Sequence, residues 1–304
     1  MGTCRSMLQH MVRSDRLFRP ASKMLGRILA AALMASTLTS LAAAQGTDLI
    51  FAVTEGVTYQ ATPKEIRDKF APVADHIGKA IGRRVKVVLV PAYDDLRAGM
   101  AKQEYDMAFV HPAHVAMAEI KGGRYKAVAW TAGFTDYAVS LLINANEPIR
   151  SLSDLNGRTV VTPDPDSITA VMVRAMFRTA KLIATSAPDP TPTRVRVVTT
   201  RYQDAVPFYV EYTFAQAGAT AAKSVVKAWT DKGGKVLAQS RSIPIKQFLV
   251  STRMPAEEQN RIRDALMAMG QSKEGRDALD GVGYKGFVAP DRELEGATIV
   301  WLGI

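Results

Sequence analysis

Residues 153–169 read Ser-Asp-Leu-Asn-Gly-Arg-Thr-Val-Val-Thr-Pro-Asp-Pro-Asp-Ser-Ile-Thr. A short apolar strand, Thr159 to Val161, runs into a Pro/Asp loop. Ser167 and Thr169 then stand ahead of the apolar helical run Ala170-Val171-Met172-Val173-Arg174-Ala175-Met176-Phe177. The order strand, loop, helix is the building unit of an α/β fold. Unpaired N–H groups and a partial positive charge gather at such a helix start, so two hydroxyls placed there favour an anion. Ser and Thr are also preferred N-caps, and taken alone the stretch reads first as a cap with no further role.

The residues on either side repeat the pattern. Leu49-Ile50-Phe51-Ala52-Val53 is a buried-type strand followed by a Thr/Glu/Gly loop. Over residues 63–81, Ile66, Phe70, Val73, Ile77 and Ile81 recur at spacings of three and four, the stripe of an amphipathic helix that Gly82 closes. Val85 to Val90 is the next strand, Tyr93 to Gln103 a second helix, and Asp106 to Val110 a third strand. His111-Pro112-Ala113-His114 then opens a third helix. Such alternation predicts an α/β fold with largely parallel sheets.

Tyr137 to Ile143 and Ile245 to Ser251 are longer apolar runs that bracket a second strand–helix series. That series includes Val195 to Val198, a helix near residues 206–212 despite Pro207, and the small apolar tip Ala215-Gln216-Ala217-Gly218-Ala219. Two crossing strands around a middle segment predict two α/β lobes, each a sheet flanked by helices. The first takes residues 45–140 plus 248–304 and the second residues 141–247. The Pro-rich residues 188–192 read as a surface loop. Tyr209, Tyr212 and Phe214 read as packing residues, with Tyr212 in reach of the cleft.

Residues 1–44 read as an export signal with a basic lead-in. Met24-Leu25-Gly26-Arg27 begins a basic region, residues 28–41 are apolar, and Ala42-Ala43-Ala44 supplies the cleavage site. The apolar run falls short of the ~20 residues of a membrane span. Cys4, the one cysteine, precedes that run, which argues against a lipid anchor and leaves residues 45–304 without thiol chemistry. Six basic residues against Asp15 give the leader +5 of the chain's +10. The remaining +5 suits a small anionic ligand. Export and the lack of a basic run with interleaved aromatics exclude nucleic acid. The expectation is a periplasmic monomer, free of cofactors.

Assembled chemistry is missing. His111 and His114 are three apart, but Pro112 puts His111 at or before the helix cap, and no further ligand completes a metal set. The remaining histidines, His10 and His76, lie in the leader and on a helix face. There is no G-x-S-x-G elbow, P-loop or G-x-G-x-x-G, and an exported enzyme is the disfavoured class.

Several pieces in order carry a family resemblance: Phe70-Ala71-Pro72-Val73-Ala74 with Gly82, Tyr93-Asp94-Asp95-Leu96, and Tyr105-Asp106-Met107-Ala108-Phe109 with Pro112. Ser153 to Arg158, Asp164-Pro165-Asp166-Ser167 and the ending Ile243-Pro244 with Ser251-Thr252-Arg253-Met254-Pro255 complete it. Over nearly all of residues 45–304 the chain resembles the periplasmic substrate-binding proteins of phosphate/phosphonate-type ABC importers. The resemblance implies a two-lobed clamp that closes on a small oxyanion and delivers it to a membrane permease, or alternatively to a sensor kinase, without chemistry. It implies Ser167 and Thr169 as oxyanion-binding hydroxyls, with Tyr93, Tyr59 and His111 closing from the first lobe.

This chain departs from the family at two positions. Arg201-Tyr202-Gln203-Asp204-Ala205 stands where the family has a His-Asp-Ala type run, and Ala215-Gln216-Ala217-Gly218 where it has an acidic residue. Gln203 and Gln216 are then expected to hydrogen-bond the ligand from the second lobe, with Arg201 as a clamp if it faces the cleft. Loss of the acidic and histidine groups argues against an aminoalkyl-phosphonate.

Overall fold

A computed structural model describes residues 48–55, 62–185 and 194–304. The leader, Tyr59 and the Pro-rich loop at residues 188–192 lie outside the described residues.

The first sheet begins with β1 (Leu49–Glu55), β2 (Val85–Leu89), β3 (Met107–His111) and β4 (Tyr125–Thr131). The late strands β11 (Gln247–Ser251) and β12 (Phe287–Val288) complete it, in the order β12-β4-β11-β3-β1-β2. β1 pairs parallel with both β2 and β3, whereas β11 enters antiparallel between β3 and β4. Alternate side chains serve the two faces, as a period-two strand requires. Phe51, Val53, Phe109, Phe248 and Val250 join one core, and Ala52, Ala108, Val110 and Leu249 another.

Helix α1 (Pro63–Ile81) covers the first of these cores with the stripe Ile66, Phe70, Val73, Ile77 and Ile81. A Thr62/Glu65 capping box starts it, and Gly82, at φ 70°, ends it in the left-handed conformation that glycine adopts without strain. Pro72 lies within the helix on its exposed side, and the apolar stripe is unbroken. Helices α2 (Tyr93–Lys102) and α3 (Ala113–Lys121) cover the opposite face.

The second sheet has the order β10-β5-β9-β6-β8-β7. Its strands are β5 (Ser140–Ile143), β6 (Thr159–Thr162), β7 (Ile183–Thr185), β8 (Arg194–Thr199), β9 (Ala217–Thr220) and β10 (Lys235–Gln239). β6 is parallel to β8 and β9, while β5 runs antiparallel to β9, repeating the plan of the first sheet. Helix α4 (Ile168–Thr179) packs on one face; α5 (Val206–Glu211) and α6 (Lys223–Asp231) pack on the other.

Gly218 sets how closely α5 lies on the sheet. A Cβ there would meet Val206 Cγ1 at 2.5 Å and Val210 Cγ2 at 2.8 Å. The absent side chain therefore fixes the helix that follows Gln203.

Two chain segments join the sheets, and they pair with each other. Tyr137 and Ile243 exchange backbone hydrogen bonds of 3.2 and 3.0 Å, flanked by Ile245 N–H to Phe134 O at 3.0 Å and Ser240 N–H to Val139 O at 2.8 Å. Ser140–Ile143 is thus shorter than the apolar run from Tyr137 suggests, because residues 137–139 belong to this crossing.

The C-terminal region adds α7 (Ala256–Ala268), α8 (Lys273–Val282) and α9 (Arg292–Leu302). Helix α9 spans both lobes: Leu294 packs against the first lobe's core, and Leu302 lies in the second's. Arg178 Nη2 donates to Trp301 O at 3.0 Å and Lys121 Nζ to Ile304 O at 2.5 Å. The last turn, assigned to the first lobe by its sequence, therefore packs its apolar side chains on the second, while Lys121 ties its end to the first. Among the described residues no helix is long and apolar enough to cross a membrane.

Candidate functional site

Ligands of open α/β sheets bind beyond the carboxyl ends of the parallel strands. In the first lobe those ends are Glu55 and His111, directly paired across β1 and β3. His111 Nδ1 lies 3.0 Å from Glu55 O. A carbonyl only accepts, so Nδ1 carries the proton and Nε2 keeps its lone pair. Burial pushes His111 down to about 4, with Lys246 adding to the shift against the Glu55 contacts, so the ring is neutral at pH 7.

The Glu55 carboxylate gathers partners from three distant segments. Lys69 Nζ donates to Oε2 at 3.0 Å, the Tyr284 hydroxyl donates to Oε1, and Lys246 Nζ stands 4.0 Å from Oε1. Burial alone would raise this carboxyl, but Lys246, Tyr284 and Lys69 together hold it below the usual carboxylate range. Lys246 precedes β11 in the returning crossing segment. Its ammonium lies 4.5 Å from the Phe134 ring centre and 4.7 Å from that of Tyr284. Burial lowers its pKa against the pull of Glu55.

On the rim, Tyr93 opens α2 with its ring edge-on to His114 at 6.2 Å. Arg97, one turn later, reaches the other lobe. Its Nη2 lies 2.6 and 2.8 Å from the two oxygens of Asp166, and His114 Nε2 is 3.1 Å from Oδ1. Burial pushes His114 to about 4 despite that carboxylate. Asp166 itself is held below its usual range, its burial outweighed by Arg97 and His114. The bridge ties the loop before α4 to the helices of the first lobe.

The second lobe presents hydroxyls and an amide. Ser167 caps α4, its oxygen accepting from Ala170 N–H at 3.2 Å, which leaves its own O–H to donate elsewhere. Thr169 is 1% exposed, and its hydroxyl is 2.7 Å from that of Tyr137. Tyr137, in the outgoing crossing segment, is therefore the phenol that the buried threonine holds. Gln203 Nε2 lies 3.5 Å from the same phenol. Its Oε1 accepts from Ala221 N–H at 2.6 Å and Thr220 Oγ1 at 3.3 Å, beyond the carboxyl end of β9.

The structure thus brings Thr169 and Gln203 together around Tyr137, with Ser167 at the same helix start. Tyr93 and His111 lie at the first lobe's strand and helix ends. Tyr59 lies outside the described residues.

Gln216 is elsewhere. It precedes β9, and its Oε1 accepts from Thr159 N–H at 2.9 Å, at the opposite end of the sheet from Thr220. It holds β6 to β9 and does not join the site. Arg201 is exposed and stacks over the Tyr202 ring at 5.3 Å, with no contact to the cleft groups.

Of the aromatic residues expected to pack, Tyr209 is half-buried against the core of Val206 and Val210, whereas Tyr212 and Phe214 are exposed. Phe208, Tyr212 and Phe214 are 50%, 59% and 60% exposed and touch one another, with Tyr209 beside them, toward the end of α5 remote from Gln203.

Glu55, Lys246, Arg97 and Tyr137 were not singled out from the sequence, and Asp166 stood out only within the Asp164-Pro165-Asp166-Ser167 turn. Of the first four, Tyr137 carried a signal, as the polar residue that opens an otherwise apolar crossing run. Among the described residues no three His, Cys, Asp or Glu side chains are grouped to hold a metal ion.

A family model described as ABC transporter, phosphonate, periplasmic substrate-binding protein matches residues 56–294. No curated protein matches the sequence. Among solved structures, XAC2383 from Xanthomonas citri bound to ATP has a TM-score of 0.71 at 15% identity, covering 85% of this chain and 98% of that one. PhnD1 from Prochlorococcus marinus in complex with methylphosphonate gives 0.55 at 12% identity, covering 83% and 96%. A binding protein component of an ABC phosphonate transporter from Pseudomonas aeruginosa gives 0.53 at 17% identity, covering 84% and 95%. At these identities the likeness to each structure is one of fold. Because the family model spans most of the chain and the two-lobed fold runs the length of those structures, the chain belongs to the periplasmic substrate-binding proteins of phosphonate-type ABC transporters.

Proposed function

We propose that the protein captures a small oxyanion of the phosphate, phosphite or phosphonate class and presents it to the permease of an ABC importer. The observation that carries this reading is the hydroxyl wall at the start of α4. The Ser167 O–H, the Tyr137–Thr169 pair and the Gln203 amide offer neutral donors beside unpaired helix N–H groups. Such a wall binds the oxygens of a tetrahedral anion without a fixed demand on its substituent. Methylphosphonate and ATP, the ligands of two structures with this fold, both carry tetrahedral phosphorus oxyanions.

His111 refines the picture. Its Nε2 is an acceptor, so it suits the P–OH of a partly protonated oxyanion. The two crossing segments act as the hinge, and closure carries the hydroxyl wall toward the first lobe's charged strand ends. Residues 1–44 direct export and are removed, and the protein acts as a monomer in the periplasm.

The reading is tested by thermal shift of the purified protein against phosphate, phosphite, methylphosphonate and sulfate. A ligand that binds only the folded chain raises the melting temperature saturably. A shift with a phosphorus oxyanion is expected; a folded protein that shifts with none of them refutes the ligand class.

A further inference from the structure

We infer that Lys246 is the cation that meets the ligand's negative charge, and that the cleft selects oxyanions bearing no ammonium group. The inference rests on the oxyanion reading above and assigns its charge recognition to the floor of the first lobe.

Lysine has three N–H donors. At Lys246 the Tyr284 hydroxyl, at 3.1 Å, takes one of them. The Glu55 carboxylate, at 4.0 Å, is beyond hydrogen-bonding distance. Among the described residues nothing else accepts from it, so two donors remain there, on a side chain only 12% exposed and pinned between the rings of Phe134 and Tyr284. Aromatic faces hold an ammonium in place while offering it no lone pair, so its hydrogen-bonding capacity is kept for a ligand.

The charge balance points the same way. Lys69 and Lys246 surround one carboxylate, leaving the floor at +1 in a site partly removed from water. Lys246 immediately precedes Gln247, which pairs with Val110 beside His111. The ammonium thus lies at the carboxyl ends of the parallel strands and beside the hinge, where closure displaces it least.

An ammonium on the ligand would need a carboxylate whose charge no cation already balances, since a carboxylate oxygen that accepts one bond still has a lone pair to offer. Glu55 spends Oε1 on Tyr284 and Oε2 on Lys69. Asp166 spends both oxygens on Arg97 and shares one with His114. A zwitterionic ligand would bring its cation to groups already engaged, next to two lysines.

The test is calorimetric titration of wild type, Lys246→Met and Lys246→Arg with methylphosphonate, phosphite, phosphate and 2-aminoethylphosphonate, with circular-dichroism melts to check folding. Wild type should bind at least one of the first three and take 2-aminoethylphosphonate at least tenfold more weakly than methylphosphonate. Lys246→Met should lose about 30-fold or more, and Lys246→Arg, which keeps the charge, should stay within several-fold of wild type. Selectivity is read on wild type alone, so a poorly folding variant does not blunt the test. Equal affinity for methylphosphonate and its amino analogue, or wild-type affinity in folded Lys246→Met, overturns the inference and leaves the oxyanion reading standing. Wild type binding none of the four overturns both.

Discussion

The two faces of the cleft are built from different chemistry. The first lobe puts charge on rigid strand ends: Glu55 and His111 close β1 and β3, and Lys246 precedes β11. The second lobe offers neutral groups, Ser167, Gln203 and Thr220, with Thr169 held to the hinge phenol Tyr137. Charge supplies attraction with little directional demand, whereas hydroxyls and amides supply geometry. The division also suits a hinge. The Glu55–Lys69–Lys246–Tyr284 contacts form without the second lobe, and the Gln203–Thr220–Ala221 set without the first. Closure can then bring together two preassembled faces. The Arg97–Asp166–His114 bridge joins the loop before α4 to the first lobe's helices, so the proposed hinge motion would make and break it.

The hardest test of this division removes the second lobe's hydroxyls. Ser167→Ala with Thr169→Ala should weaken the oxyanion that binds wild type by about 100-fold, taking ~1.5 kcal/mol for each hydrogen bond lost to a charged group. Its melting temperature should drop far less, since an N-cap contributes ~1 kcal/mol. Wild-type affinity in calorimetry would break the second lobe's half of the account.

Next comes Glu55→Leu, which leaves Lys69 and Lys246 without their carboxylate. Breaking a mostly buried pair costs about 3 kcal/mol, so the melting temperature should fall by ~8 °C. An unchanged melt would show that the floor is not an interdependent network.

A smaller effect is expected from pH. His111 and His114 are both held near 4 in the folded chain, below the 6.5 of a free imidazole. Between those values the unfolded chain binds more protons than the folded one, so their contribution to stability is full above about 6.5 and shrinks as pH falls toward 4. Thermal melts from pH 7 to 4.5 should show a decline of about 2 kcal/mol for each imidazole, so that His114→Asn removes about half of the slope. A slope that this variant leaves unaltered would place the titration elsewhere.

The smallest effect is that of Asp166→Asn. Both partners are more than a third exposed, so the Arg97 bridge contributes only ~0.5–1 kcal/mol. Ligand affinity should fall by a few-fold, and small-angle scattering of the ligand-free variant should show a larger radius of gyration. A radius equal to wild type would mean that the bridge does not hold the lobes together.

The architecture was legible because local pattern dictates it. The stripe from Ile66 to Ile81 and the buried run from Met107 to Val110 each reveal an element within a few residues. The charged floor was not legible, because its members meet only through the fold: Glu55 and Tyr284 are 229 residues apart. Gln216 misled for a related reason. It sits before β9 begins, and four residues farther along the strand Thr220 reaches the other end of the sheet. Phe214 and Tyr212 looked like core by residue type, yet α5 fills its buried face with Val206 and Val210 against Gly218 and leaves the aromatics outside. Helix α9 carries no sequence sign that Leu294 and Leu302 serve different lobes.

The most direct test of the central claim is isothermal titration of the folded wild-type protein with phosphite, phosphate and methylphosphonate. Saturable binding of at least one at a single site per chain is expected, lost in Ser167→Ala/Thr169→Ala and weakened in Lys246→Met. Binding that survives both variants, or no binding by a protein whose melt shows it folded, would contradict it.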